Sequence, residues 1–105
     1  MAEVIWTEPA LEDLNRIADY IALDDPEAAE RLVQRVFQHV EQLTTHPESG
    51  SRPQELRRSR YRQLVQAPCR IFYRVDGRRM FILHVMRGES QLLKSRLKRG
   101  GRPLE

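Results

Sequence analysis

Arginine is the residue type with which this 105-residue chain could do chemistry. Arg58, Arg60 and Arg62 alternate with Ser59, Tyr61 and Gln63, and Arg70, Arg74 and Arg87 follow in the next apolar runs. A guanidinium fork binds a phosphate bidentately and can stabilise charge developing on a phosphoryl group. Cutting RNA with such a set also requires a base for the 2′-OH and an acid for the leaving oxygen. Tyr61 and Tyr73 are the nearby candidates, and both occupy alternation positions that mark packing. The arginines therefore read as a binding surface more than a finished active site. Other devices are missing. There is no glycine-rich phosphate loop or paired-cysteine motif, and His39, His46 and His84 lack metal-ligand spacing. Serines cluster in a loop without a partner to activate one. No catalytic residue, metal or cofactor is expected.

The elements that must position the arginines lie in the second half of the chain, which is also where the positive charge is. Residues 1–50 hold 3 Lys and Arg against 11 Asp and Glu, a net −8; residues 51–105 hold 15 against 4, a net +11. Such polarity points the second half toward an anionic partner: nucleic acid, a nucleoprotein machine or an acidic protein. The single cysteine, Cys69, excludes an internal disulfide framework and reads as a small core residue. No apolar run approaches the ~20 residues of a membrane span. Glu3 and the run Trp6-Thr-Glu-Pro9 break any signal-peptide pattern, so a cytoplasmic location is expected.

Local patterning predicts the order strand, helix, helix and three strands. Glu3–Trp6 is a short β-branched and aromatic run. Thr7 caps a helix with Glu8 and Pro9 in its first turn, and Leu11, Leu14, Ile17, Ala18 and Ile21 form its apolar stripe. Glu12, Asp13, Asn15, Arg16 and Asp19 read as the wet side, and the helix ends around Leu23. Asp24-Asp25-Pro26-Glu27 restarts a helix that runs to about Thr45, with Ala29, Leu32, Val33, Val36, Phe37, Val40 and Leu43 on one side. The short connection makes the two helices an antiparallel hairpin. A loop over 47–53 leads to a strand over 56–65, whose period of two puts Arg58, Arg60 and Arg62 on one face.

The run from Cys69 to Met86 is the centre of the chain, a β-hairpin turning at Asp76-Gly77. That turn opposes Val75 to Arg78, Tyr73 to Met80, Phe72 to Phe81 and Ile71 to Ile82. Ile71, Tyr73, Met80 and Ile82 then share one face, and Phe72, Phe81, Leu83 and Val85 the other. The helical hairpin covers the first face. The second is left for the basic carboxyl-terminal segment, in which Leu93 and Leu97 fall on one side of a short turn, or for a partner. The result is a two-layer α+β domain, β-α-α-β-β-β, over residues 1–99, with 100–105 as a flexible tail and Pro103-Leu-Glu105 read as an appended end.

Together these pieces resemble the RelE/ParE superfamily of bacterial toxin–antitoxin toxins, and more closely its ParE branch. The resemblance spans residues 3–90. It rests on Ile5-Trp-Thr-Glu-Pro-Ala-Leu-Glu-Asp-Leu14, Ile17-Ala-Asp-Tyr-Ile21, Ala28 to Leu43 with His46-Pro47, and Ser49-Gly50. Above all it rests on Arg70-Ile-Phe-Tyr-Arg-Val75 followed by Phe81-Ile-Leu-His-Val-Met86.

RelE-like members cut mRNA in the ribosome. Of their basic and aromatic set, Arg70 matches the arginine of the third strand and Arg62 a basic position on the second. The later arginine falls near Glu89 and the terminal tyrosine near Leu93, so the set is broken here. ParE-like members are implied to poison DNA gyrase and to be held inactive by a ParD-type antitoxin. Where their ending commonly reads His-Gly-Arg-Arg, this chain has Arg87-Gly-Glu-Ser90.

The resemblance thus implies a non-enzymatic gyrase inhibitor neutralised by a cognate ParD-type antitoxin, meeting nucleic acid only within the target complex. Arg58, Arg60, Arg62, Arg70, Arg74 and Arg87 are the candidate target contacts. Phe72, Phe81, Leu83, Val85, Leu93 and Leu97 are the candidate antitoxin contacts. The alternative is a ribosome-dependent endoribonuclease using Arg62, Arg70 and Arg87, and the second alternative a basic nucleic-acid-binding module with strongly salt-dependent binding. The inhibitor reading leans on an open second face, and burial of Phe72, Phe81 and Leu83 within a lone chain removes that support.

Overall fold

The computed structural model describes residues 2–54 and 58–88. In chain order these form strand β1 (Glu3–Trp6), helix α1 (Glu8–Ala22), helix α2 (Pro26–Glu41), a single 3₁₀ turn (Gln42–Thr44), and strands β2 (Tyr61–Gln66), β3 (Cys69–Asp76) and β4 (Arg79–Arg87). The strands lie in the order β1-β4-β3-β2. The three later strands are antiparallel neighbours, and β1 joins the sheet as its fourth member, running parallel to β4. The helical hairpin packs on one face, giving a two-layer α+β domain. Leu93, Leu97 and the tail over 100–105 lie outside the described residues.

Both helices begin where their caps demand. The Thr7 hydroxyl accepts from the Ala10 N–H at 3.4 Å, and the Asp25 carboxylate accepts from the Ala28 N–H at 3.1 Å; a proline stands in each first turn. Thr7 also donates its hydroxyl to the Ile82 carbonyl at 2.6 Å, tying the start of α1 to β4. The stripe of α1 is rotated from the expected one. Ala10, Asp13 and Leu14 are buried, whereas Leu11 is 39% exposed.

The central hairpin turns one residue later than expected. Asp76 opposes Arg79, and Gly77 takes a left-handed φ of 62° that a side chain would strain. Face parity survives this shift, because both partners slip together: Val75 opposes Met80 and Tyr73 opposes Ile82. Parity is then broken by a bulge. Phe72 opposes His84, so Leu83 is the additional residue on β4, and Ile71 opposes Val85. Val85 therefore joins Ile71, Tyr73 and Ile82 in the helix-side core, not Phe72 on the far side as expected.

The second face is also closed, which corrects the expectation of an open apolar flank. Phe72 is fully buried and Leu83 is 1% exposed within the single chain, clustered with Tyr61 and Met86 and flanked by half-buried Phe81. Part of the cover is arginine. The Arg70 guanidinium stands 4.9 Å above the Phe72 ring and that of Arg74 5.4 Å above Phe81. A long aliphatic stem capped by a weakly hydrated cation suits an aromatic face. The expectation offered the helices, the basic carboxyl-terminal segment and a partner as cover, and did not include the strand arginines.

Candidate interaction surface

The sheet separates the arginines it was expected to gather. Directly opposed residues share a face. Arg62 opposes Tyr73 and Arg87 opposes Cys69, and both of those partners lie in the helix-side core. Arg70 and Arg74 sit beside Phe72 on the other face. Arg58 and Arg60 precede β2, so they do not form the alternating strand row with Arg62 that the period suggested.

Several arginines are also committed to holding the fold. Arg62 donates through Nη1 to the carbonyls of Gly50 at 2.8 Å and Glu48 at 3.3 Å, pinning the loop that follows α2. Arg70 donates through Nε to the Gln63 side-chain carbonyl at 3.0 Å. The Arg87 guanidinium lies 5.4 Å above the ring of Tyr20 on α1. Arg58 and Arg60 are the exposed members.

Neither tyrosine is placed as a proton-transfer group. Tyr61 is 2% exposed within the second cluster. Tyr73 is fully buried, and its hydroxyl donates to the Pro47 carbonyl at 3.0 Å while accepting from the Gly50 N–H at 2.9 Å. Gly50 is required there, since a Cβ would sit 2.5 Å from the Tyr73 hydroxyl and 2.6 Å from the Gln63 carbonyl. Burial pushes the Tyr73 phenol up from its ordinary value, opposed by the Gly50 N–H and the Arg62 charge. Burial likewise pushes the Cys69 thiol up, with Arg87 pulling partly back, as befits a packed core cysteine. Among the described residues no group of three or more His, Cys, Asp or Glu side chains could hold a metal ion, and no helix is long and apolar enough to cross a membrane.

The sequence reading missed Asp13. Assigned to the wet side of α1, it is 3% exposed and ties that helix to the bulged end of β4. Its Oδ2 accepts from the Val85 N–H at 3.1 Å and lies 2.9 Å from His84 Nδ1, while Oδ1 accepts from Arg16 at 3.2 Å. A signal was present: Asp13 stands three residues after Ala10 and four before Ile17, within the apolar stripe itself. His84 accordingly has a structural partner.

A family model of the ParE toxin of the type II toxin–antitoxin system parDE matches residues 4–92. The chain is 41% identical to toxin Y4kP of Sinorhizobium fredii over 86 residues, 82% of this chain and 88% of that one. It is 36% identical to Toxin RelE2 of Caulobacter vibrioides over 89 residues, 83% of this chain and 92% of that one. Among solved structures, the fold is similar to a chain of the chromosomal ParDE TA system from P. aeruginosa. The TM-score is 0.71 at 30% identity, covering 85% of this chain and 98% of that chain. With the matched α+β topology, these likenesses show that the chain belongs to the ParE toxin family of type II toxin–antitoxin systems.

Proposed function

We propose that this toxin acts by binding DNA gyrase directly, without cleaving nucleic acid itself, and that a cognate ParD-type antitoxin holds it inactive. The observation that carries the non-catalytic part is the division of the arginines. Arg62 and Arg87 lie on one face of the sheet and Arg70 on the other, so a single phosphate cannot meet all three. The two tyrosines are packed, and the Tyr73 hydroxyl is engaged with backbone partners. The antitoxin part is supported by the likeness to the ParDE chain. Because Phe72, Leu83 and Val85 are buried, they do not offer a docking surface; among the described residues the large apolar side chains left exposed are Leu11, Tyr20, Leu23, Phe37 and Val65.

The test is a supercoiling assay with purified gyrase, toxin and antitoxin. Toxin alone is expected to block supercoiling, and added antitoxin to restore it. No inhibition at stoichiometric excess removes gyrase as the target. The Caulobacter relative carries the RelE2 name, which keeps a ribosome-dependent endoribonuclease as the competing reading. Cut mRNA in a translating extract, abolished by Arg70→Ala, is the result that would favour it.

A further inference from the structure

A hollow of about 190 Å³ opens where the end of α1, the stretch of α2 from Ala28 to Arg35 and the β2–β3 turn meet. Ile21, Leu32, Ala67 and Pro68 supply its apolar lining, and Arg31 and Arg35 also face it, one helical turn apart on α2. These are two of the three basic residues in the acidic first half of the chain. Neither forms a hydrogen bond or ion pair among the described residues, although Glu27 and Glu30 lie within a turn of Arg31. Like charges at a spacing of four cost a helix stability when nothing lies between them. The fold makes no use of this pair.

We propose that the hollow receives one carboxylate of a partner polypeptide, carried beside an apolar side chain that fills the hollow. Two arginines lining one site suit a planar carboxylate, which accepts two parallel N–H bonds from one fork on its syn edge and a further bond from the other arginine. The apolar lining and the size of the hollow fit a single aliphatic side chain next to that charge. A nucleic-acid backbone fits less well. Asp24, Asp25, Glu27 and Glu30, all exposed, stand in the helix connection and the first turns of α2, within a few residues of the lining, and disfavour a polyanion, whereas one carboxylate beside two arginines is compensated locally. The site does not depend on gyrase as the target.

N-acetyl-leucine is a minimal probe, because it couples one carboxylate to one aliphatic side chain. Titrated into the full chain and followed by amide NMR, it is expected to shift Ile21, Arg31, Arg35 and Ala67 saturably. Arg31→Gln/Arg35→Gln is expected to weaken that binding about tenfold or more, as the loss of charge-assisted hydrogen bonds requires. Its melting temperature should not fall, since both side chains are exposed and removing two like charges four apart relieves a small repulsion. N-acetyl-leucinamide, which keeps the side chain and lacks the charge, should not bind. The proposal is overturned by an absent or non-saturable response, or by binding retained in the double variant. It is overturned equally if inorganic phosphate binds as tightly as N-acetyl-leucine, which would mark a simple anion site.

Discussion

On its helix side the sheet is closed by aliphatic stripes from α1 and α2, reinforced by polar ties from Thr7 to Ile82 and from Asp13 to Val85. On its far side a smaller cluster of Tyr61, Phe72, Leu83 and Met86 is buried, with Arg70 and Arg74 laid across aromatic rings. The first closure uses a separate layer of two helices, of which α1 is tied to β4 by long-range hydrogen bonds. The second includes side chains of the sheet itself. The contrast shows how a chain this short spends its arginines: a strand guanidinium can be cover for an aromatic ring as readily as a contact for a phosphate. Charge counted along the sequence therefore overstates the cationic surface that the sheet offers.

The contrast is broken most directly at Phe72. If the far face is closed in the free chain, Phe72→Ala should lower unfolding stability by about 3–5 kcal/mol, the range for truncating a buried aromatic. Chemical denaturation measures this, and a loss under ~1 kcal/mol would mean the face is open in solution. On the helix side, Asp13→Ala should cost about 2–4 kcal/mol, because it removes a buried acceptor shared by the Val85 N–H and His84. Hydrogen exchange should then accelerate at Val85 before it does at Phe72. Arg74→Gln should cost only about 0.5–1 kcal/mol, the scale of a partly exposed cation–π contact, and the loss should persist in high salt if stem packing dominates.

The smallest effect concerns pH. The folded-state values of Cys69 and Tyr73 are both raised from ordinary values of 9.0 and 10.0. The unfolded chain therefore loses these protons first. Their contribution is complete below about pH 9 and is lost as the pH climbs through the raised folded-state values. Denaturant midpoints should fall between about pH 9 and pH 11, and the Cys69 thiol should resist labelling at about pH 8 until the chain unfolds.

Much of this molecule was legible locally. Thr7, Pro9, Asp25 and Pro26 declare two helix starts, because a cap is an interaction among residues three apart. Gly77 declares a turn for the same reason, since one residue's φ decides it. The ParE-like layout was legible too, through the order and spacing of short motifs. What escaped was set by contacts between distant residues. The parallel pairing of β1 with β4 joins Glu3 to Arg79, a partnership no local pattern encodes. The bulge at Leu83 moves Val85 across the sheet, and a period of two cannot anticipate an unpaired residue.

Asp13 and the arginines show the same limit at the level of sites. Periodicity assigns a side chain to a direction, and composition assigns it a charge. By itself, then, the sequence determined which segments are helical, which alternate, and where the positive charge accumulates. Only the tertiary structure decided that Asp13 meets a strand end, that Arg62 and Arg70 lie on opposite faces, and that Arg31 and Arg35 border a shared hollow. The physical reason is that direction and charge are properties of a residue and its neighbours in the chain. Burial, pairing and convergence belong to whichever surfaces the folded chain brings together.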